Sequence, residues 1–145
     1  MNHNKAFTLV EILIVVIILG ILAAIVIPQF TAASDDARSA ALSSDLHTVR
    51  TQIELYKVQH GDTLPTAALV DELTSKTDFS GAVGTGATHI YGPYLQKFPT
   101  NPYVTTGGDS VETGTGSPGV DPESGWYYNT TSGAFAPDDA DHSTM

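Results

Sequence analysis

Residues 6–17 read AFTLVEILIVVI, an apolar run with one ionisable side chain, Glu11, inside it. The run continues well past that point. From Phe7 to Phe30 the strongly polar residues are Glu11 and Gln29, and Ile12 to Ile27 carries no charge. Phe7 to Ile27 comes close to the ~20 residues that a helix needs to cross a hydrocarbon core of ~30 Å. In lipid such a segment is helical, because each backbone polar group must find its partner within the segment. A carboxylate there costs about 2.5–3.5 kcal/mol near a helix centre on insertion scales, and less near an end. Glu11 therefore needs a physical reason.

Beyond Pro28 the apolar pattern changes without breaking. Ala33, Ala37, Ala41, Leu42, Leu46, Val49, Ile53 and Tyr56 recur largely at spacings of three and four, an amphipathic helical stripe. Asp35, Asp36, Arg38, Asp45, Arg50, Glu54 and Lys57 occupy the opposite face, and Gly61 suits the position just past a helix end. One helix from about Phe7 to about His60 is expected, kinked at Pro28, where the proline ring removes a hydrogen bond and crowds the preceding turn. A half that is apolar all round suits lipid or a bundle of copies, not a lone globule.

Three readings of the N-terminus compete. A plain membrane anchor leaves Glu11 to snorkel into the headgroup layer. A cleaved secretory signal has a short n-region, MNHNK, and small residues at Ala23 and Ala24. Against it, Glu11 interrupts the apolar core, which also continues to Phe30. The third reading comes from resemblance. KAFTLVEILIVVIILGILAAIVIPQF (residues 5–30) resembles the N-terminus of type IV pilins and type II secretion pseudopilins. The resemblance implies a leader of residues 1–6, cleavage by a prepilin peptidase between Ala6 and Phe7, and N-methylation of Phe7. The residue before the cut is usually glycine in that family; here it is Ala6. The resemblance also gives Glu11 an assembly role, pairing with the freed Phe7 amine of its own chain or of a neighbour. It matches Gly20 to a small residue and Pro28 to the helix kink. Lys5 and His3 lie on the leader side, with no further Lys or Arg before Arg38, so the positive-inside rule keeps that end in the cytoplasm.

The family fold implied is α+β and pilin-like: a long N-terminal helix, half transmembrane and half amphipathic, packed on a small antiparallel β-sheet head. Its parts are a filament-core helix over residues 7–30, an amphipathic half over 31–61 and a globular head over 62–145. Within the head, Thr66–Lys76 reads as a short helix, and YGPYLQKFPTNPY (residues 91–103) as an ordered, extended proline-rich loop. Residues 105–121, rich in Gly, Thr and Ser, read as a mobile loop. GWYY and AFA flank NTTSG, a hairpin signal. Trp126, the one tryptophan, should anchor the sheet to the amphipathic helix. The Asn129-Thr130-Thr131 sequon reads as chance.

Charge and chemistry exclude several function classes. The net charge is −10, and residues 98–145 hold seven acids and no Lys or Arg, so nucleic acid is not an expected partner. The chain lacks cysteine, and His3, His47, His60, His89 and His142 share no metal-ligand spacing. No nucleophile–base pattern or phosphate-binding glycine loop stands out, so no enzyme activity is expected. Type II major pseudopilins often bind calcium through C-terminal loops. Asp109, Glu112, Asp121, Asp138, Asp139 and Asp141 supply oxygens there. Their spacing matches no EF-hand loop, so they read as a solvated acidic surface with no assigned cofactor. The resemblance implies a homo-oligomeric filament subunit in the bacterial inner membrane, its head in the periplasm. Its partners would be the membrane, the inner-membrane assembly platform and minor pseudopilins. A major pseudopilin of a type II system is favoured over a type IV pilin by the lack of cysteine and the short chain. A membrane-anchored periplasmic binding module is the reading from a different class.

Overall fold

The computed structural model describes residues 7–119 and 123–145. Helix α1 runs Leu9–Gln59, helix α2 Leu69–Thr74, and strands β1, β2 and β3 run Val111–Gly114, Trp126–Asn129 and Phe135–Pro137. The chain divides into two units between Ala37 and Arg38.

In the first unit every described residue is exposed. The large apolar ones from Phe7 to Phe30 are between 41% and 81% exposed. Helix α1 passes through Pro28 without a break in its helical residues. The ring withholds an amide from the Ala24 carbonyl, while the Thr31 hydroxyl donates to the Ile27 carbonyl at 3.2 Å. A Cβ on Gly20 would meet nothing within 4 Å. Nothing within the single chain therefore requires a small residue there.

From Leu42 on, the helical stripe does what its spacing predicts; before it, one correction is needed. Leu42, Leu46, Val49, Ile53 and Tyr56 are buried, whereas Ala33, Ala37 and Ala41 are exposed. Helix α1 closes on Gly61 at φ 64°, and the Asp62 amide reaches back to the Lys57 carbonyl at 2.9 Å. This six-to-one bond satisfies a terminal carbonyl that a left-handed residue brings within reach.

The head packs on this stripe through Leu69 and Leu73 of α2, Phe98, Trp126, Tyr128 and Phe135. The predicted hairpin forms. β2 and β3 pair antiparallel, with Trp126 opposite Pro137 and Tyr128 opposite Phe135. The sheet is nonetheless mixed, not wholly antiparallel: β1 pairs parallel to β2, with Val111 opposite Trp126 and Gly114 opposite Asn129. β1 also corrects the expectation of an unstructured loop over residues 105–121. The Ser124 hydroxyl oxygen accepts from the Glu112 amide at 3.0 Å, and the Thr130 amide donates to Gly114 at 2.9 Å. Residues 120–122 lie outside the described part.

Several buried polar groups of the head are matched by hydrogen bonds. Buried Glu72 accepts from the Thr66 amide at 2.9 Å and from the Thr66 hydroxyl at 2.5 Å. Burial, with Glu72 nearby, pushes the Tyr56 and Tyr128 phenols well above their usual range. The Tyr128 hydroxyl donates to Pro65 at 3.0 Å, and the Arg50 guanidinium ties α1 to the Phe135 carbonyl at 2.9 Å. The proline-rich loop is ordered as expected: the Tyr94 and Leu95 amides share the Leu73 carbonyl, and the Tyr94 hydroxyl donates to Gln59. Asn129 spends its side chain on the Thr131 and Ser132 amides and on Gly116, so the sequon is a turn device.

Candidate functional site

The site sits at the start of α1. Four of its five sequence-assigned residues, Phe7, Glu11, Gly20 and Pro28, fall in the described part, and Ala6 lies outside it. Phe7 is 77% exposed and lines a shallow apolar groove with Leu9, Ile12, Leu13 and Val16.

Thr8 is the last residue before the helix, and Glu11 is the third within it. The Glu11 amide donates to the Thr8 hydroxyl oxygen at 3.3 Å. In return, Oε2 of Glu11 accepts from the Thr8 amide at 2.8 Å and from the Thr8 hydroxyl at 2.7 Å. This is a capping box: two amides that no helical carbonyl can reach are satisfied reciprocally by the side chains of the cap and the third helical residue. The negative charge also faces the positive end of the helix dipole.

Sequence reasoning assigned Glu11 to an amine and overlooked Thr8, although TLVE over residues 8–11 carries the Thr-x-x-Glu signature. In a membrane the arrangement matters more than in water, because an unsatisfied amide in hydrocarbon costs several kcal/mol. Glu11 thus has a use within a single chain, before any partner arrives. Thr8→Val should open the first turn, speeding exchange of its amide hydrogens by about fivefold, the equivalent of a lost cap of ~1 kcal/mol. Thr8→Ser should keep wild-type rates. Hydrogen exchange on the full chain in micelles reads both, and an unchanged Thr8→Val would remove the cap from the account.

The acidic residues of the head do not form a comparable site. Among the described residues no three His, Asp or Glu side chains group as metal ligands. Asp109 and Asp141 are exposed, and Asp139 is engaged by Asn101 and His142. Asp121 lies outside the described residues.

Comparison with known proteins finds a family match at the same end of the chain. Residues 1–27 match the family described as the prokaryotic N-terminal methylation motif. The type II secretion system core protein G of Pseudomonas aeruginosa is 37% identical over 59 residues, covering 41% of this chain and 42% of that protein. Its namesake from Aeromonas hydrophila is 27% identical over 102 residues, covering 70% of this chain and 69% of that protein. The type IV narrow pilus major component PilA5 of Thermus thermophilus is 40% identical over 55 residues, covering 38% of this chain and 47% of that protein. No solved structure matches the chain significantly. In its methylation motif, its long exposed apolar helix and its small head, the chain is similar to pilin-like proteins.

Proposed function

We propose that the chain is the structural subunit of a pilus-like filament, the major pseudopilin of a type II secretion system that helps to export folded proteins. It is a structural element rather than an enzyme. The observation that carries this reading is the segment Leu9–Phe30. Its apolar side chains are uncovered along the whole of their length, and α1 is long and apolar enough to cross a membrane. Lipid covers such a surface in the subunit pool; neighbouring copies cover it in a fibre.

Assembly then exchanges lipid contacts for helix–helix contacts. Cleavage after Ala6 by a prepilin peptidase creates the Phe7 amine, one turn from Glu11. In the fibre, the Glu11 carboxylate of one subunit neutralises the Phe7 amine of the next and sets its axial register. The head stands in the periplasm, and the assembly platform and minor pseudopilins are the partners of this process.

The system is chosen by reach. The similarity to the Aeromonas protein spans 102 residues, more than α1 and its leader contain, so it extends into the head. The similarity to PilA5 spans 55 and is the observation behind the second reading, a type IV pilin for adhesion, motility or DNA uptake. The mass of the mature protein tests the common part of both. The expected product begins at Phe7 and carries one added methyl group. A protein that retains Met1 in a strain with active prepilin peptidase would reduce the chain to a membrane anchor.

A further inference from the structure

Type II major pseudopilins often bind calcium in the C-terminal loops, and in this head a set of hydrogen bonds ties those loops together. Asn101 is fully buried and uses its whole amide. Its Nδ2 donates to the Gly125 carbonyl at 2.8 Å and to Oδ2 of Asp139 at 3.0 Å, and its Oδ1 accepts from the Tyr103 amide at 2.9 Å. On the other side, Oδ1 of Asp139 accepts from the Asp141 amide at 3.2 Å, the His142 amide at 3.0 Å and His142 Nδ1 at 2.5 Å. The His142 ring lies over Tyr103, with centroids 4.1 Å apart. Three stretches far apart in sequence are thus joined through the Asn101 side chain: its own loop at Asn101–Tyr103, the entry to β2 at Gly125, and the turn at Asp139–His142.

We infer that Asp139, held by Asn101 and His142, is a clasp built of protein donors that closes the C-terminal lobe where a calcium ion would otherwise do so, and that the head keeps its form without calcium. A carboxylate offers about four lone-pair sites. Asn101 Nδ2, the Asp141 amide, the His142 amide and His142 Nδ1 supply four donors to Asp139. Calcium needs six to eight oxygens around it. A carboxylate encircled by hydrogen-bond donors points those donors at the place a cation would take. This inference is independent of the filament reading, because it concerns how one head closes.

The test is thermal unfolding of the full-length protein in detergent micelles, followed through the fluorescence of Trp126, the one tryptophan, which is completely buried in the head. Wild-type midpoints should coincide in EGTA and in millimolar calcium, a concentration that fills sites of extracellular strength. Asp139→Asn keeps the shape but sets an amide donor against the Asn101 and His142 donors. Its midpoint should fall by about 5 °C in both buffers. His142→Ala, which removes one donor and the ring over Tyr103, should also lower the midpoint in both buffers. A wild-type midpoint that rises on adding calcium overturns the inference, and so does an Asp139→Asn midpoint equal to wild type. If neither variant accumulates, the wild-type comparison still decides; it includes every residue of the chain, Asp121 among them.

Discussion

Glu11→Gln inserts into the membrane, keeps an ordered helix start, and is depleted about tenfold or more from sheared filaments. The substitution separates two roles that Glu11→Ala and Glu11→Leu would remove together. A glutamine at the third helical position still reaches back to the cap amide, as the capping-box pattern accepts either residue. The Thr8 amide, now 2.8 Å from Oε2, keeps an oxygen acceptor. What disappears is the negative charge. If that charge pairs with the Phe7 amine of a neighbour inside an apolar bundle, its loss leaves an uncompensated ammonium. Truncating one partner of a buried charge pair costs about 2–5 kcal/mol, and each ~1.4 kcal/mol is a factor of ten. Membrane insertion should improve slightly, since the uncharged amide is easier to bury. Amounts in the membrane fraction and in the sheared fraction, compared for wild type, Glu11→Gln and Glu11→Ala, give the answer. Normal Glu11→Gln levels in filaments, alongside depleted Glu11→Ala, would assign the residue to the cap alone and leave assembly without its electrostatic term.

The N-terminal half was legible because its signal is local. Apolar length, a stripe at three and four residue spacing and a terminal Gly61 describe α1 to within two residues at each end, since each is written in neighbouring residues. The aromatic strands around NTTSG were legible for the same reason. β1 was not. VETG offers no apolar alternation and lies in a stretch that composition reads as loop; it is a strand because β2 provides a parallel ladder from twelve or more residues away. Ala33, Ala37 and Ala41 showed the opposite failure. Their spacing is helical, but spacing does not say what covers a face, and here the head begins to cover the helix only at Leu42. At the site, Thr8-x-x-Glu11 was readable, but the cost of a charge in lipid pointed instead to the Phe7 amine. In the sequence Asp139 was one of six candidate acids of the C-terminal loops. Only the fold, by delivering Asn101 to it, sets it apart.

The same long-range convergence makes Trp126 the side chain whose removal should do most harm to the head. The indole is completely buried and stacks on Phe135, with centroids 5.1 Å apart and planes at 22°. Phe98 meets that phenylalanine edge-on at 6.0 Å, and Leu42, Leu46, Val49 and Ile53 of α1 belong to the same cluster. Nε1 donates to the Pro99 carbonyl at 3.0 Å, so the ring also pins the proline-rich loop. Trp126→Ala removes the packing and orphans that carbonyl. Substitutions of this kind cost about 3–5 kcal/mol, with a further ~1 kcal/mol for the lost, part-buried hydrogen bond. Set against a total of about 5–15 kcal/mol for an ordinary domain, the head of Trp126→Ala should be largely unfolded near physiological temperature. Trp126→Phe keeps most of the volume and gives up mainly the hydrogen bond, so it should lose only about 1–2 kcal/mol. The readout has to belong to the head, because the apolar part of α1 stays helical in a micelle whatever the head does. Limited proteolysis and near-ultraviolet circular dichroism of the tyrosines meet that condition. Cleavage of Trp126→Ala within residues 62–145 at the wild-type rate would show that the cluster on α1 holds together without its largest member, and that the sheet is fixed to the helix by the Arg50–Phe135 bond and the α2 leucines instead.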